Sequence, residues 1–255
     1  MRLKLTLAYD GRPFAGWQIQ PRSATVQETV ETAIAEIAGG AGCRLHGAGR
    51  TDTGVHALGQ VAHFDTPENA RLSEMEWHRA LNALLPPTIR VMRCEAVAAG
   101  FHARFDAARK IYRYRLWHGE VLPPLEHGLA WHLHGALDAV ALRRAARLFE
   151  GRHDFTAFCA NRGEENEETR DNVRTLSRVA AAQQGELIEL TFEGEGFLYK
   201  MVRMLAGAIV RVARGHEPVE RLADLLANPA QKKPGWQAPA DGLFLVKVIY
   251  PSDPT

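Results

Sequence analysis

The segment whose residue types best suit catalysis runs from Gly47 to Ala57 and reads Gly-Ala-Gly-Arg-Thr-Asp-Thr-Gly-Val-His-Ala. It places Asp52 between glycines, which let a backbone approach a ligand closely and adopt positive φ angles. Arg50 stands two residues before Asp52. A carboxylate on such a turn can act as a nucleophile or a general base. The alternative is a turn aspartate that only hydrogen-bonds its own backbone.

Asp-Thr-Gly is also the active-site tripeptide of aspartic proteases, in which two carboxylates share one proton. A single chain of that type needs a second copy of the tripeptide. The nearest match, Ala240-Asp241-Gly242, lacks the threonine and precedes an apolar strand. The arginine and histidine around Asp52 favour an ionised carboxylate, which suits a shared proton poorly. A protease is therefore the less favoured interpretation.

Basic residues are concentrated in two aromatic-containing segments, although the formal net charge is only +1. From Phe101 to His118 five cations face one acid, and from Phe197 to His216 four cations face none. Such clusters suit a groove that follows a phosphate backbone, and a solvated charged face is the alternative. The cations predicted to line such a groove are Arg109, Lys110, Lys200, Arg211 and Arg214.

Composition excludes several other classes of protein. No apolar run approaches the roughly 20 residues that span a bilayer, and the N-terminus alternates like a strand and does not resemble a secretory signal. We therefore expect a cytoplasmic protein without a membrane segment. The three cysteines are far apart and the histidines form no H-E-x-x-H motif, so neither a disulfide framework nor a metal site is expected.

Hydrophobic patterning predicts the elements that must position these residues. In the first half, strands are predicted at 3–9, 60–65 and 88–97, with helices at 26–37 and 73–85 that each begin at a capping-box sequence. In the second half, strands are predicted at 110–117, 173–181, 187–192 and 242–250, with helices at 138–149, 197–214 and 219–228. The acidic run from Gly163 to Glu168 is predicted to be a loop.

Together these elements predict an α+β fold. We expect two halves, each like an RRM or ferredoxin domain, that form a continuous mixed and mainly antiparallel sheet with helices packed on it. A central cleft would hold the active site. Residues 1–104 would form an N-terminal domain with the Asp52 loop. Residues 105–255 would form a C-terminal domain with the Tyr112 strand and the Arg203 helix.

Nine segments, taken in order, resemble the TruA family of tRNA pseudouridine synthases. The most specific is Gly49-Arg50-Thr51-Asp52-Thr53-Gly54-Val55-His56-Ala57, which is similar to the family signature G-R-T-D-x-G-V-H. The others include Tyr9-Asp10-Gly11 with Gly16-Trp17-Gln18, Phe101-His102-Ala103-Arg104-Phe105, Lys110-Ile111-Tyr112-Arg113-Tyr114, Phe197-Leu198-Tyr199-Lys200-Met201-Val202-Arg203 and Gly242-Leu243-Phe244-Leu245. A departure is Asn172, where family members often carry proline.

The resemblance implies an isomerase that converts uridine to pseudouridine in a flipped nucleotide, without cofactor or metal. It implies that Asp52 is the nucleophile and that Arg203 pairs with it. Tyr112 would stack on the flipped uracil, since base–aromatic stacking contributes ~1–3 kcal/mol. Leu245 would form an apolar wall under the base, and Arg50 would contact phosphate or fill the vacated stack.

The resemblance also implies a substrate and an assembly. The substrate would be the anticodon stem-loop of tRNA at positions 38, 39 and 40. The enzyme would be a homodimer, because neither half alone offers enough basic surface for one tRNA. A catalytically inactive RNA-binding protein of the same fold is the alternative, although the intact set of Asp52, Tyr112 and Arg203 argues against it.

Overall fold

A computed structural model describes residues 1–68, 71–161, 171–229, 231 and 233–251. The acidic run from Gly163 to Glu168 lies outside these residues. The strands are β1 (Arg2–Tyr9), β2 (His46–Gly47), β3 (His56–Asp65), β4 (Ile89–Val97), β5 (Arg109–Trp117), β6 (Trp131–His132), β7 (Gly151–Asp154), β8 (Val173–Gln184), β9 (Leu187–Gly194) and β10 (Leu243–Ile249). The helices are α1 (Val26–Ile37), α2 (Glu74–Leu84), α3 (Ala139–Arg147), α4 (Met201–Ala213) and α5 (Val219–Ala227). This arrangement confirms the predicted α+β class.

Two compact units divide the chain, one of residues 1–108 with 244–255 and the other of residues 109–243. The sequence places the boundary between residues 104 and 105 and assigns the last strand to the second domain. In the structure β10 packs with the first unit, because Phe244 and Leu245 pair with His56 and Ala57 of β3. The two-domain division itself stays a prediction.

The sheet of the first unit has the order β4-β1-β3-β10, and the short strand β2 pairs with one end of β3. Strand β1 is antiparallel to both β3 and β4, whereas β10 is parallel to β3. Leu3, Leu5, Leu7 and Tyr9 are buried, as the alternation in the sequence predicts. Helix α2 packs against α1 and β4.

The sheet of the second unit has the order β5-β9-β8-β7, all antiparallel, and the short strand β6 runs parallel to β5. Helix α3 packs against α4 and β8, and α5 packs against α3 and β7. No helix in the described part of the chain is both long enough and apolar enough to cross a membrane.

Helix α4 begins four residues later than the sequence predicts. The predicted start was Phe197, but Lys200 adopts a left-handed backbone conformation with φ of 58° and the helix begins at Met201. A left-handed residue cannot continue the turns of a right-handed helix, so it sets the first residue of α4. The α2 helix begins as predicted, with a complete capping box between Ser73 and Glu76.

A stripe of three residues on α4 lies against the segment 236–238. Arg203 and Arg211 are the two residues of α4 that are not buried, and Gly207 lies midway between them. A Cβ on Gly207 would overlap the carbonyl group of Trp236. The backbone N–H of Ala238 donates to the Arg203 carbonyl at 3.0 Å. Because Gly207 has no side chain, the backbone of the irregular segment 236–238 can contact the backbone of α4 directly.

Replacing Gly207 with alanine is expected to destabilise the protein, although alanine normally favours a helix interior by about 1 kcal/mol over glycine. The added Cβ would force Trp236 away from the helix, and overpacking of this kind costs ~1–3 kcal/mol. Unfolding in urea measures the change. Gly100→Ala is the control, because a Cβ there meets no atom within 4 Å. Unchanged or raised stability of Gly207→Ala would contradict the expectation.

Candidate active site

Asp52 lies in the loop that connects β2 to β3, and its residue is half-buried. The backbone N–H of Val55 donates to the Asp52 carbonyl at 3.1 Å, which closes a turn directly after the carboxylate. Arg50, on the same loop, is exposed. The first unit thus presents one carboxylate and one cation two residues apart, as the sequence predicts.

The loop from Gly11 to Trp17 supports the Asp52 loop from one side. The backbone N–H of Trp17 donates to the Thr51 carbonyl at 3.1 Å. Gly16 adopts a φ of 91°, and a Cβ there would lie 2.5 Å from the Thr51 carbonyl oxygen and 3.0 Å from the Asp52 carbonyl carbon. The two backbones are therefore in direct contact beside Asp52, and a side chain at Gly16 would displace the loop.

Two polar side chains fix the residues before Asp52. The hydroxyl groups of Tyr9 and Thr51 lie 2.8 Å apart in a buried hydrogen bond, and the Gln60 amide donates to the Gly49 carbonyl at 2.9 Å. Burial raises the pKa of Tyr9 to about 12, so the phenol stays neutral and can share this hydrogen bond at pH 7. Neither support was predicted from the sequence. The position of Tyr9 at the buried end of an alternating strand was the available signal.

His56 and Leu245 lie at the start of β3 and on the neighbouring strand β10. The buried His56 ring stacks on Phe244 with 4.6 Å between ring centroids, and its Nδ1 accepts from the Gly11 N–H at 3.2 Å. Leu245 is 0% exposed and pairs with Ala57. It belongs to the same unit as Asp52 and not, as predicted, to the second half.

Tyr112 and Tyr114 lie on the same face of β5, as their spacing predicts. Tyr112 is 7% exposed, and its ring meets Phe197 edge-on with 4.9 Å between centroids. Tyr114 is fully buried and donates to the Pro239 carbonyl at 2.8 Å. Desolvation raises the pKa of Tyr114, which keeps it a neutral donor.

Arg203 is half-buried, and its guanidinium Nε donates to the Ala238 carbonyl at 2.9 Å. Because Ala238 also donates its N–H to the Arg203 carbonyl, the segment binds both the main chain and the side chain of Arg203. Tyr114 bonds the next carbonyl along, that of Pro239. The guanidinium group of Arg203 and the hydroxyl group of Tyr114 thus bind consecutive carbonyls, those of Ala238 and Pro239.

The five residues predicted to bind RNA lie on β5 and at both ends of α4. Arg109 forms an ion pair with Glu193 at 2.6 Å, and Arg214 donates to the His134 carbonyl at 2.9 Å. The Arg211 guanidinium lies 5.3 Å from the Trp236 ring centroid and 3.6 Å from the Glu217 carboxylate. The other two are Lys110, on β5, and Lys200, whose Nζ lies 5.3 Å from the Tyr199 ring centroid. A continuous groove formed by these five stays a prediction.

The predicted site residues are distributed over both units. The first unit holds Arg50, Asp52 and Leu245 on the β2–β3 loop and on β10, and the second holds Tyr112 and Arg203. The pairing of Arg203 with Asp52 would join residues of different units and stays a prediction. Among the residues that the structure describes, no three His, Cys, Asp or Glu side chains are grouped so as to hold a metal ion.

Comparison with known proteins identifies close relatives. The model of the family described as tRNA pseudouridine synthase matches residues 6–106 and 145–251, ranges that include Asp52, Arg203 and Leu245. The tRNA pseudouridine synthase A of Akkermansia muciniphila is 48% identical over 255 residues, which cover 99% of this chain and 96% of the relative. The protein of the same name from Solidesulfovibrio magneticus is 47% identical, with 98% and 91% covered. The tRNA pseudouridine synthase A 1 of Protochlamydia amoebophila is 40% identical, with 98% and 96% covered.

Replacing Tyr9 with phenylalanine is expected to lower the free energy of unfolding by ~1–3 kcal/mol, because it leaves the buried Thr51 hydroxyl without this partner. A double-mutant cycle with Thr51→Val provides the control. If the hydrogen bond stabilises the loop, the double variant loses less stability than the two single variants together. Additive losses in urea unfolding would show that the bond contributes nothing.

Proposed function

We propose that Asp52 is the nucleophile of this enzyme. The chain belongs to the tRNA pseudouridine synthase family and is therefore an isomerase. The observation that supports this role most directly is the placement of the Asp52 loop. The Gly16 backbone packs directly against the backbone of Thr51 and Asp52, and the hydroxyl groups of Tyr9 and Thr51 are hydrogen-bonded. These contacts hold the loop that carries the carboxylate in place before a substrate binds, and such preorganisation is a general requirement for a catalytic group.

The reaction breaks the C1′–N1 bond of uridine and joins C5 of the uracil to C1′. Uridine and pseudouridine are isomers, so no electron or group is gained from another molecule: the proton at C5 leaves and N1 acquires one. The nucleotide must first leave its base stack, at a cost of a few kcal/mol. In the proposed mechanism the ionised Asp52 supplies the electron pair that lets the C1′–N1 bond break, and it is released unchanged when the C5–C1′ bond has formed.

Three further residues are proposed to hold the flipped nucleotide. Tyr112 would stack on the uracil, and its contact with Phe197 supports its ring from one edge. Leu245 would provide apolar surface beneath the base, on a strand that pairs with the start of β3. Arg50, exposed on the Asp52 loop, would contact a phosphate or take the place of the flipped base.

Arg203 is proposed to be the fixed cation that keeps the nucleophile ionised. A carboxylate that becomes covered by an apolar base needs a compensating charge, because desolvation favours its protonated form. The hydrogen bond from the Arg203 Nε to the Ala238 carbonyl supports this proposal, because it holds the guanidinium group against the 236–238 segment.

The family name specifies tRNA as the substrate but not the uridines that react or the oligomeric state, and both are proposed here. We propose that the enzyme acts on uridines 38, 39 and 40 of the anticodon stem-loop, that it acts in the cytoplasm where tRNA is found, and that it is a homodimer. The basic residues on β5 and α4 support contact with a phosphate backbone. Sequencing of pseudouridine sites in tRNA modified by the purified enzyme, together with its mass in solution, tests these statements.

Replacing Asp52 with asparagine is expected to abolish pseudouridine formation while tRNA binding and folding are retained, because asparagine has the same shape but is a poor nucleophile. Tritium release from tRNA labelled at uridine C5 measures turnover. Asp224→Asn, on helix α5 of the other unit, is the matched control and should remain active. Turnover of Asp52→Asn within tenfold of wild type would refute the assignment, and tRNA binding by an inactive wild type would favour the inactive RNA-binding alternative.

Replacing Arg203 with alanine is expected to lower the rate by about a hundredfold or more, because the nucleophile would lose its compensating cation. Loss of a nearby cation raises the pKa of a carboxylate, so the acidic limb of the pH–rate profile should move to higher pH. Arg203→Lys should recover part of the rate, and Arg143→Ala on α3 serves as the control. A profile that does not move in Arg203→Ala would contradict the proposed role.

A further inference from the structure

Four aromatic side chains of the first unit form a column that the proposed chemistry does not use. His63 of β3 stacks on His46 of β2 with 5.0 Å between centroids, and His102 meets His63 edge-on at 4.7 Å. Phe105 lies against His102 at 4.2 Å and 30°. We call His46, His63, His102 and Phe105 the ring column.

The inner end of the ring column is anchored in the protein core. His63 is buried, and its Nδ1 accepts from the Ala103 N–H at 3.1 Å. Desolvation, reinforced by the neighbouring His102 and His46, lowers the pKa of His63 to about 4. His63 is therefore neutral at pH 7, and its ring packs against the other two without a charge on its own imidazole.

The outer end of the ring column is open. Phe105 is 75% exposed, and the Arg104 guanidinium lies 5.8 Å from its ring centroid. Exposing most of a phenylalanine forfeits the stability that burial would give. An exposed aromatic ring flanked by arginine is the arrangement on which nucleotide bases stack.

The charge around the ring column is complementary to phosphate. Arg44 and Arg104 are exposed, and Arg44 is close enough to His46 to lower its pKa, after the larger effects of desolvation and His102. The nearby acids already accept hydrogen bonds. Asp65 accepts two from Arg2, Asp106 accepts from the His102 N–H, and Glu31 accepts from the Leu45 N–H.

The chain limits the distance between the ring column and the proposed nucleophile. His46 belongs to β2, and the six Cα–Cα steps from His46 to Asp52 span at most ~22 Å when fully extended. Both ends of this segment belong to the same unit. An RNA strand bound at Asp52 therefore has nucleotides that can reach the ring column.

We propose that the ring column is a second RNA-binding site, on which an unpaired base of the substrate tRNA stacks against Phe105 while adjacent phosphates contact Arg44 and Arg104. The proposal rests on the proposed function, because it takes the substrate to be tRNA. The base bound here is a different one from the uridine that reacts at Asp52.

The test replaces Phe105 with alanine and with tyrosine, and measures the Kd for tRNA at several salt concentrations. Phe105→Ala should weaken binding about 5- to 140-fold, the equivalent of ~1–3 kcal/mol for one stacked base. Phe105→Tyr should bind like the wild type because it keeps the ring. Met92→Ala is the matched control, since Met92 is 56% exposed on β4 of the same unit.

Two further readouts separate stacking from general surface effects. Phe105→Ala should leave the log–log salt slope unchanged, whereas Arg44→Ala should reduce it by about one unit. In turnover, Phe105→Ala should raise KM with little change in kcat, because the reacting uridine is untouched. Thermal unfolding of each variant shows whether it is folded.

Three results would overturn the proposal. In the first, folded Phe105→Ala binds tRNA with the same Kd as the wild type. In the second, Phe105→Tyr loses as much affinity for tRNA as Phe105→Ala does. The third is a change in oligomeric state in place of RNA affinity, which would make the patch a protein contact. An inactive wild type would refute the proposed function by itself. An active wild type alongside an unimpaired Phe105→Ala would refute only this inference.

Discussion

The contact between the Gly16 backbone and the Thr51–Asp52 backbone is the constraint on which the first unit depends. Gly16 also accepts from the Val26 N–H, and Trp17 accepts from the Gln27 N–H, so the same loop satisfies the first turn of α1. One irregular segment thus connects a helix N-terminus to the Asp52 loop. Because no side chain separates the two backbones, a shift of the Thr51–Asp52 backbone towards this loop would also displace the residues that bond the first turn of α1.

In the second unit, Arg203 of α4 is contacted by an irregular segment in a similar way. Gly207 lets the 236–238 segment approach the surface of α4. The carbonyls of Ala238 and of the next residue, Pro239, accept hydrogen bonds from Arg203 and Tyr114. In both units an irregular segment, not a strand or helix, contacts the backbone next to a proposed site residue, Asp52 in the first unit and Arg203 in the second. Glycine at positions 16 and 207 lets two backbones come into direct contact, and the hydrogen bonds beside each contact favour one arrangement of the two segments.

Local patterns predicted most elements because they depend on neighbouring residues. The alternation from Leu3 to Tyr9 predicted β1, and the Ser73–Glu76 capping box predicted the start of α2. Contacts between distant residues were not readable in this way. The parallel pairing of Leu245 with Ala57 and the left-handed turn at Lys200 have no periodic signal. The Asp52 segment was recognisable from its residues, but its support by Tyr9 and Gln60 required the fold.

The return of β10 to the first unit has a consequence for how the protein is made. Ala57 is translated 188 residues before Leu245, its partner in the parallel pair. At 5–20 residues per second, this delay is roughly 10 to 40 s on the ribosome. Throughout that time the end of β3 nearest Asp52 lacks its β10 partner, whereas β2 pairs with His63 and Ala62 at the other end. The nascent enzyme therefore has an interval in which the Asp52 loop adjoins a strand edge that has not yet paired with β10, and non-local pairing of this kind folds slowly.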